Sequence, residues 1–140
     1  MRWDDVLEAV VGVAQADATI RTLLQLSEIR SEVEWAEHVV PGLTFHHVSD
    51  GVSELWEPST IQADIWMTTL EDVVTVERAL RRLLDHDLPT TLETVYCYAQ
   101  FTDGASLGAA MGPDRNNYFG RAARFRISPI RDALRSGRSA

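Results

Sequence analysis

Lysine is absent from this sequence: all 13 of its Lys-or-Arg residues are arginine. A phosphate-cradling loop of the G-x-x-x-x-G-K-[ST] type is therefore ruled out. Cysteine occurs once, as Cys97, so no intrachain disulfide can form. No stretch approaches the ~18 uninterrupted apolar residues of a membrane-crossing helix. The first residues, Met1-Arg2-Trp3-Asp4-Asp5, turn acidic at once and lack the apolar core of a secretion signal. The expectation is a soluble chain made in a reducing cytoplasm. No Gly-x-Gly-x-x-Gly follows a strand pattern and no Gly-x-Ser-x-Gly elbow occurs, which removes the commonest dinucleotide and serine-hydrolase signatures.

What is present describes an ordinary globule. Apolar residues make up 45% and charged residues 24% of the 140, close to the average for folded domains. A chain of this length buries about 70% of its unfolded surface, enough for one core without staples. The net charge of −8 opposes general nucleic-acid binding, which is driven by cations displacing counterions from phosphate. That charge is unevenly spread. Residues 1–64 hold twelve Asp or Glu against three Arg, whereas residues 115–140 hold seven Arg and one acid, Asp132.

Apolar spacing at Val6, Leu7, Val10, Val13 and Ala14 predicts a helix over 4–16, with Asp5 and Glu8 as a capping box. Asp17 is placed to cap a short second helix that buries Ile20, Leu23 and Leu24. Ile29, Val33 and Trp35 suggest an extended segment. Pro41-Gly42 turns into a strand, Leu43–Val48, and Ser49-Asp50-Gly51 turns again before a short run at Ser53–Trp56. The clearest strand is Ile61–Met67, with Ile61, Ala63, Ile65 and Met67 on one face and Gln62, Asp64 and Trp66 on the other. The clearest helix follows at 69–85, capped by Thr68 with Glu71. Its apolar stripe is Leu70, Val73, Val74, Leu80, Leu83 and Leu84, and Glu77 and Arg81 form an i, i+4 pair. Thr94–Phe101 and Arg121–Ser128 read as strands joined by a long Gly/Ala-rich loop, 102–120. Pro129 ends the sheet.

These elements predict an α+β fold: a mixed or mostly antiparallel sheet of about four to six strands, with the 69–85 helix and an N-terminal helix packed against it. Residues 1–129 form one domain, and 130–140 is a basic C-terminal segment.

Chemically suggestive residues are few and scattered. His46 and His47 are adjacent on a strand and point to opposite faces, so they cannot share a metal; His38 and His86 stand apart. Cys97 lies on an apolar strand face and reads as buried and inert. Asp64 and Glu57 could pair for acid–base work, but a solvated sheet face accounts for them as well. Trp66, an aromatic on a polar face, calls for cover by the first helix or by another subunit. Gly104, Gly108 and Gly112 are spaced by four, which suits either a short close-packed helix or a loop of small residues. No catalytic, metal or cofactor constellation emerges.

The layout nevertheless resembles the tail terminator (tail completion) proteins of bacteriophages with long non-contractile tails. The resemblance rests on Ala16-Asp17-Ala18 leading into Ile20-Arg21-Thr22-Leu23-Leu24, on Pro41-Gly42-Leu43-Thr44-Phe45, on Ile61-Gln62-Ala63-Asp64-Ile65-Trp66 before a threonine-capped helix, and on Arg124-Phe125-Arg126-Ile127. It spans residues 3–129 and carries no catalytic residue with it.

The resemblance implies a structural virion protein. It would form a ring, typically of six, on the last ring of tail-tube protein, end tail growth and meet the head–tail connector, while genomic DNA passes through the lumen. Six copies at −8 would carry −48, a sign that lets DNA slide rather than stick. Candidate lumen or subunit-interface residues are Gln62, Asp64, Trp66 and Glu57. The candidate assembly loop carries Gly104, Gly108, Gly112 and Arg115, and the basic contact segment carries Arg131, Arg135 and Arg138. The competing readings are a head-closure stopper, a small-molecule-binding domain with a pocket of Trp66, Tyr96 and Tyr98, and a cytoplasmic regulatory adaptor. The stopper would be a smaller β-barrel, against which the 69–85 helix counts.

Overall fold

The computed structural model describes residues 3–31, 41–48 and 58–130. In chain order these are α1 (Trp3–Ala16), α2 (Ala18–Leu23), a 3-10 turn (Leu26–Glu28), β1 (Ile29–Ser31), β2 (Gly42–Val48), β3 (Ser59–Met67), α3 (Leu70–Leu84), β4 (Thr90–Leu92), β5 (Val95–Met111) and β6 (Asn117–Pro129). The fold is α+β, as the periodicities predict. The strands form one mixed sheet in the order β1-β2-β3-β6-β5-β4. Among the described residues, only β1 against β2 is parallel; the other pairings are antiparallel.

The period-2 pattern of β3 sets the layering. Ile61, Ala63, Ile65 and Met67 are all buried. They face partners on the same side of the sheet: Phe45 and Leu43 on β2, and Phe125 and Ala123 on β6. Val6, Val10 and Ala14 of α1, Ile20 of α2, and Val73, Val76, Leu80 and Leu84 of α3 join them in one core. The helices thus line one face of the sheet.

Local chemistry fixes the helix ends. The Asp17 carboxylate accepts the Ile20 N–H at 3.1 Å and also receives Arg82 from α3 at 2.6 Å, so one acid both caps α2 and ties it to α3. Thr69 caps α3 by accepting the Asp72 N–H at 3.1 Å. The cap therefore lies one residue beyond Thr68, because β3 runs on through Met67 before the backbone turns.

Three sequence expectations need correction. Leu70 and Val74, placed on the buried stripe of the long helix, are 63% and 40% exposed, and Val76 and Ala79 are buried instead. Glu77 does not pair with Arg81. It turns inward to Arg121 of β6 at 2.7 Å, and Arg81 stacks over the Phe101 ring at 4.0 Å. Most consequential, 102–120 is not a loop. β5 continues to Met111 and β6 begins at Asn117, so only 112–116 turns the chain. The turn is closed by Gly112 N–H to Asn116 O and Arg115 N–H to Gly112 O, at 2.9 and 3.0 Å, with Arg115 itself left-handed at φ 64°. The readings at Val33, Trp35, His38, Ser49-Asp50-Gly51, Ser53–Trp56, Glu57 and the basic segment lie outside the described residues.

Candidate functional site

The helix-free face of the sheet gathers the side chains that the sequence marks as polar. Thr44 and His46 of β2 stand opposite Asp64 and Gln62 of β3, which stand opposite Ala122 and Arg124 of β6. The resulting network crosses three strands. His46 Nε2 is 2.7 Å from Asp64 Oδ2, Gln62 Nε2 donates to Asp64 Oδ1 at 2.8 Å, and Arg124 Nε donates to Gln62 Oε1 at 3.0 Å. Arg124 reaches on towards Asp103 of β5 at 3.8 Å. At one margin of this network a shallow groove of ≈ 330 Å³ runs past Thr60, Asp103, Arg124 and Arg126.

Gln62 and Asp64 therefore do face away from the helices, but Asp64 is not a free surface charge. Both of its oxygens are engaged, and its side chain is 13% exposed.

Trp66 lies on the same face and is buried at 8%. The first helix does not cover it, because that helix packs on the opposite side of the sheet. The six-membered ring of the indole lies over Gly120 of β6, so close that a Cβ there would stand 2.5 Å from Trp66 Cη2. Tyr118, two residues earlier, is also buried and donates its hydroxyl to Asp114 Oδ2 across the turn at 2.6 Å. That bond holds the Asp114 carboxyl below its ordinary range and raises the Tyr118 phenol. The pocket of Trp66, Tyr96 and Tyr98 does not form. Trp66 stands opposite Gly120 and Tyr98 opposite Ser128, eight residues or roughly 27 Å apart along β6.

The remaining site candidates separate. Gly104 and Gly108 lie within β5 and Gly112 starts the turn, so they form neither a helix nor a loop of small residues. Gly104 has a structural reason: a Cβ would stand 2.7 Å from an Arg121 guanidinium nitrogen and 3.2 Å from Glu77 Oε1. The Glu77–Arg121 pair was invisible to sequence reasoning because its members are 44 residues apart. The mere presence of an acid on the buried side of α3 was the available signal.

Removing Arg121 should be costly. Glu77 is nearly buried, and its Oε1 has no hydrogen-bond partner among the described residues, so Arg121→Met would strand a carboxylate. A loss of about 3 kcal/mol is expected, while the double change Glu77→Met with Arg121→Met should lose less than either single change. Urea midpoints of the three variants measure this. Simple additivity would show that the pair is not coupled.

Among the described residues, no three His, Cys, Asp or Glu side chains converge as metal ligands. Cys97 is buried, and burial pushes its thiol up to about 11, far from the thiolate that nucleophilic catalysis requires. No protein-family model matches the chain, and a search of curated proteins finds no match.

Proposed function

We propose that the chain is a structural protomer of a phage tail terminator ring, which caps the tail tube, ends its elongation and forms the seat for the head connector. The reading rests on the sequence layout described above, and one structural observation supports it. Exposed apolar side chains stand at both ends of α3. Leu70 and Val74 mark its first turns, 63% and 40% exposed, and Leu88 lies just beyond its far end, 75% exposed. A helix of 15 residues holds the two ends about 20 Å apart. A ring closed by head-to-tail contacts needs two different surfaces on each protomer, and separate exposed apolar side chains at the two ends of α3 are compatible with that. The acidic balance suits a lumen through which DNA slides without being held.

The test is assembly with a major tail-tube protein, sought among the genes neighbouring that of this chain. Electron microscopy should show rings, six-fold by expectation, and tubes that stop growing once capped. Leu70→Asp or Leu88→Asp should abolish rings while leaving a folded protomer. Tubes that elongate unchecked in the presence of this protein would overturn the proposal, as would a gene neighbourhood without tail-tube and tape-measure genes.

A further inference from the structure

The outer edge of β5 is closed along half its length and open along the rest. β4 pairs with Val95–Cys97, the His86 N–H donates to Ala99 O at 2.9 Å, and Asp85 Oδ1 accepts the Phe101 N–H at 3.1 Å. Beyond Phe101 no strand lies against β5 among the described residues. From Thr102 to Met111 the side chains are exposed on both faces of the sheet.

Which backbone groups are open follows from the pairing with β6. At one end Ile130 N–H bonds to Tyr96 O, and at the tip Gly112 N–H bonds to Asn116 O. Both bonds turn the even-numbered residues of β6 towards β5. Their partners in register are Asp103, Ala105, Gly108 and Ala110. The N–H and C=O groups of Gly104, Ser106, Ala109 and Met111 consequently point outward. The irregularity between Ser106 and Gly108, where Gly108 takes φ 80°, shifts the strand by one residue and leaves this outward set intact.

Exposed strand edges are usually protected by charged side chains, proline or bulges. Residues 104–111 carry no charge and no proline, and their one bulge leaves the outward backbone groups in place.

We infer that this edge binds the same edge of a second copy of the chain, antiparallel, joining two sheets across a two-fold axis. In that register Gly104 faces Met111 and Ser106 faces Ala109, so every outward backbone group meets another. The side chains agree. The large Met111 lies against a glycine, Ala105 lies against Ala110, and no charge meets a like charge. On a chain of net charge −8, an uncharged edge is where two copies approach without repulsion. A two-fold contact closes on itself and cannot extend into a ring, so the inference does not rest on the ring proposal.

The test uses the full chain. Ala105 and Ala110 occupy a non-hydrogen-bonded pair across the axis, where Cα atoms lie about 4.5 Å apart, within disulfide reach. Within one chain these two positions are five residues apart along an extended strand and cannot be bridged. Under mild oxidation Ala105→Cys with Ala110→Cys should give a covalent dimer at low micromolar concentration. Each single variant should remain at least tenfold less cross-linked. In sedimentation velocity the wild type should shift from monomer to dimer with concentration. Ala109→Pro, which removes an N–H unused inside the chain, should stay monomeric with an unchanged circular dichroism spectrum. Single variants that cross-link as well as the double, or a dimer that survives Ala109→Pro, would overturn the inference. Rings that form without any 105–110 cross-link would also overturn it while leaving the ring proposal standing. A cross-linked dimer that never caps a tube would do the reverse.

Discussion

Phe125→Ala is expected to destabilise the protein by about 3–5 kcal/mol, the usual cost of emptying a core position of aromatic size. Phe125 is fully buried in the middle of β6, between Ile61 of β3 and Phe101 of β5. Its ring meets that of Phe101 edge-on, with centroids 5.7 Å apart and planes at 65°. Removing it opens a hole under the centre of the sheet and takes away the partner that orients Phe101. That loss reaches α3, because Arg81 stacks over the Phe101 ring. For a chain of this size each kcal/mol moves the melting temperature by about 3–5 °C, so a fall of more than 10 °C is expected. Denaturant unfolding should show a lower midpoint at unchanged slope. Phe125→Leu, which keeps most of the volume, should cost well under half as much. A loss below about 1 kcal/mol for the alanine variant would mean that β6 is not the centre of the core.

The contrast between β3 and β5 shows what was legible in the sequence. β3 and α3 were readable because each sets an apolar side in the core against a more polar side turned away from it, so periods of 2 and 3.6 stand out in the apolar pattern. The outer half of β5 is exposed on both sides, and no alternation is imposed on Thr102–Met111 at all. Its Gly, Ala and Ser residues have low intrinsic strand preference, and what makes them a strand is the hydrogen-bonding register supplied by β6. Sequence distance hid the Glu77–Arg121 pair in the same way. An i, i+4 partner, Arg81, was in view on the same helix, while the stronger partner arrived from a strand placed beside it only by the fold. Gln62, Asp64 and Trp66 were correctly assigned to one face. Their chemistry was not legible, since it depends on His46, Arg124 and Gly120 being brought across from neighbouring strands.

The Trp66–Gly120 contact makes the last of these points measurable. Trp66→Ala alone should cost about 3 kcal/mol, because a large aromatic is removed from a nearly closed site. Gly120→Ala alone should cost about 1–3 kcal/mol, because the new methyl would stand 2.5–2.7 Å from three atoms of a rigid indole and the strand or the ring must move. With Trp66 already replaced by alanine, the obstruction is gone. Gly120→Ala should then be neutral or stabilising by several tenths of a kcal/mol, as expected when a glycine in an extended strand gains a side chain it can hold. The two changes should thus couple by about 2 kcal/mol in a double-mutant cycle read from urea unfolding. Additive losses would mean that the indole is held elsewhere and that Gly120 serves only the β3–β6 ladder. Strong coupling would establish that this chain closes the aromatic site on its helix-free face by itself. A neighbouring protomer is then not needed to cover Trp66, and any subunit contact on this face has to be sought among Thr44, His46, Arg124 and Arg126 instead.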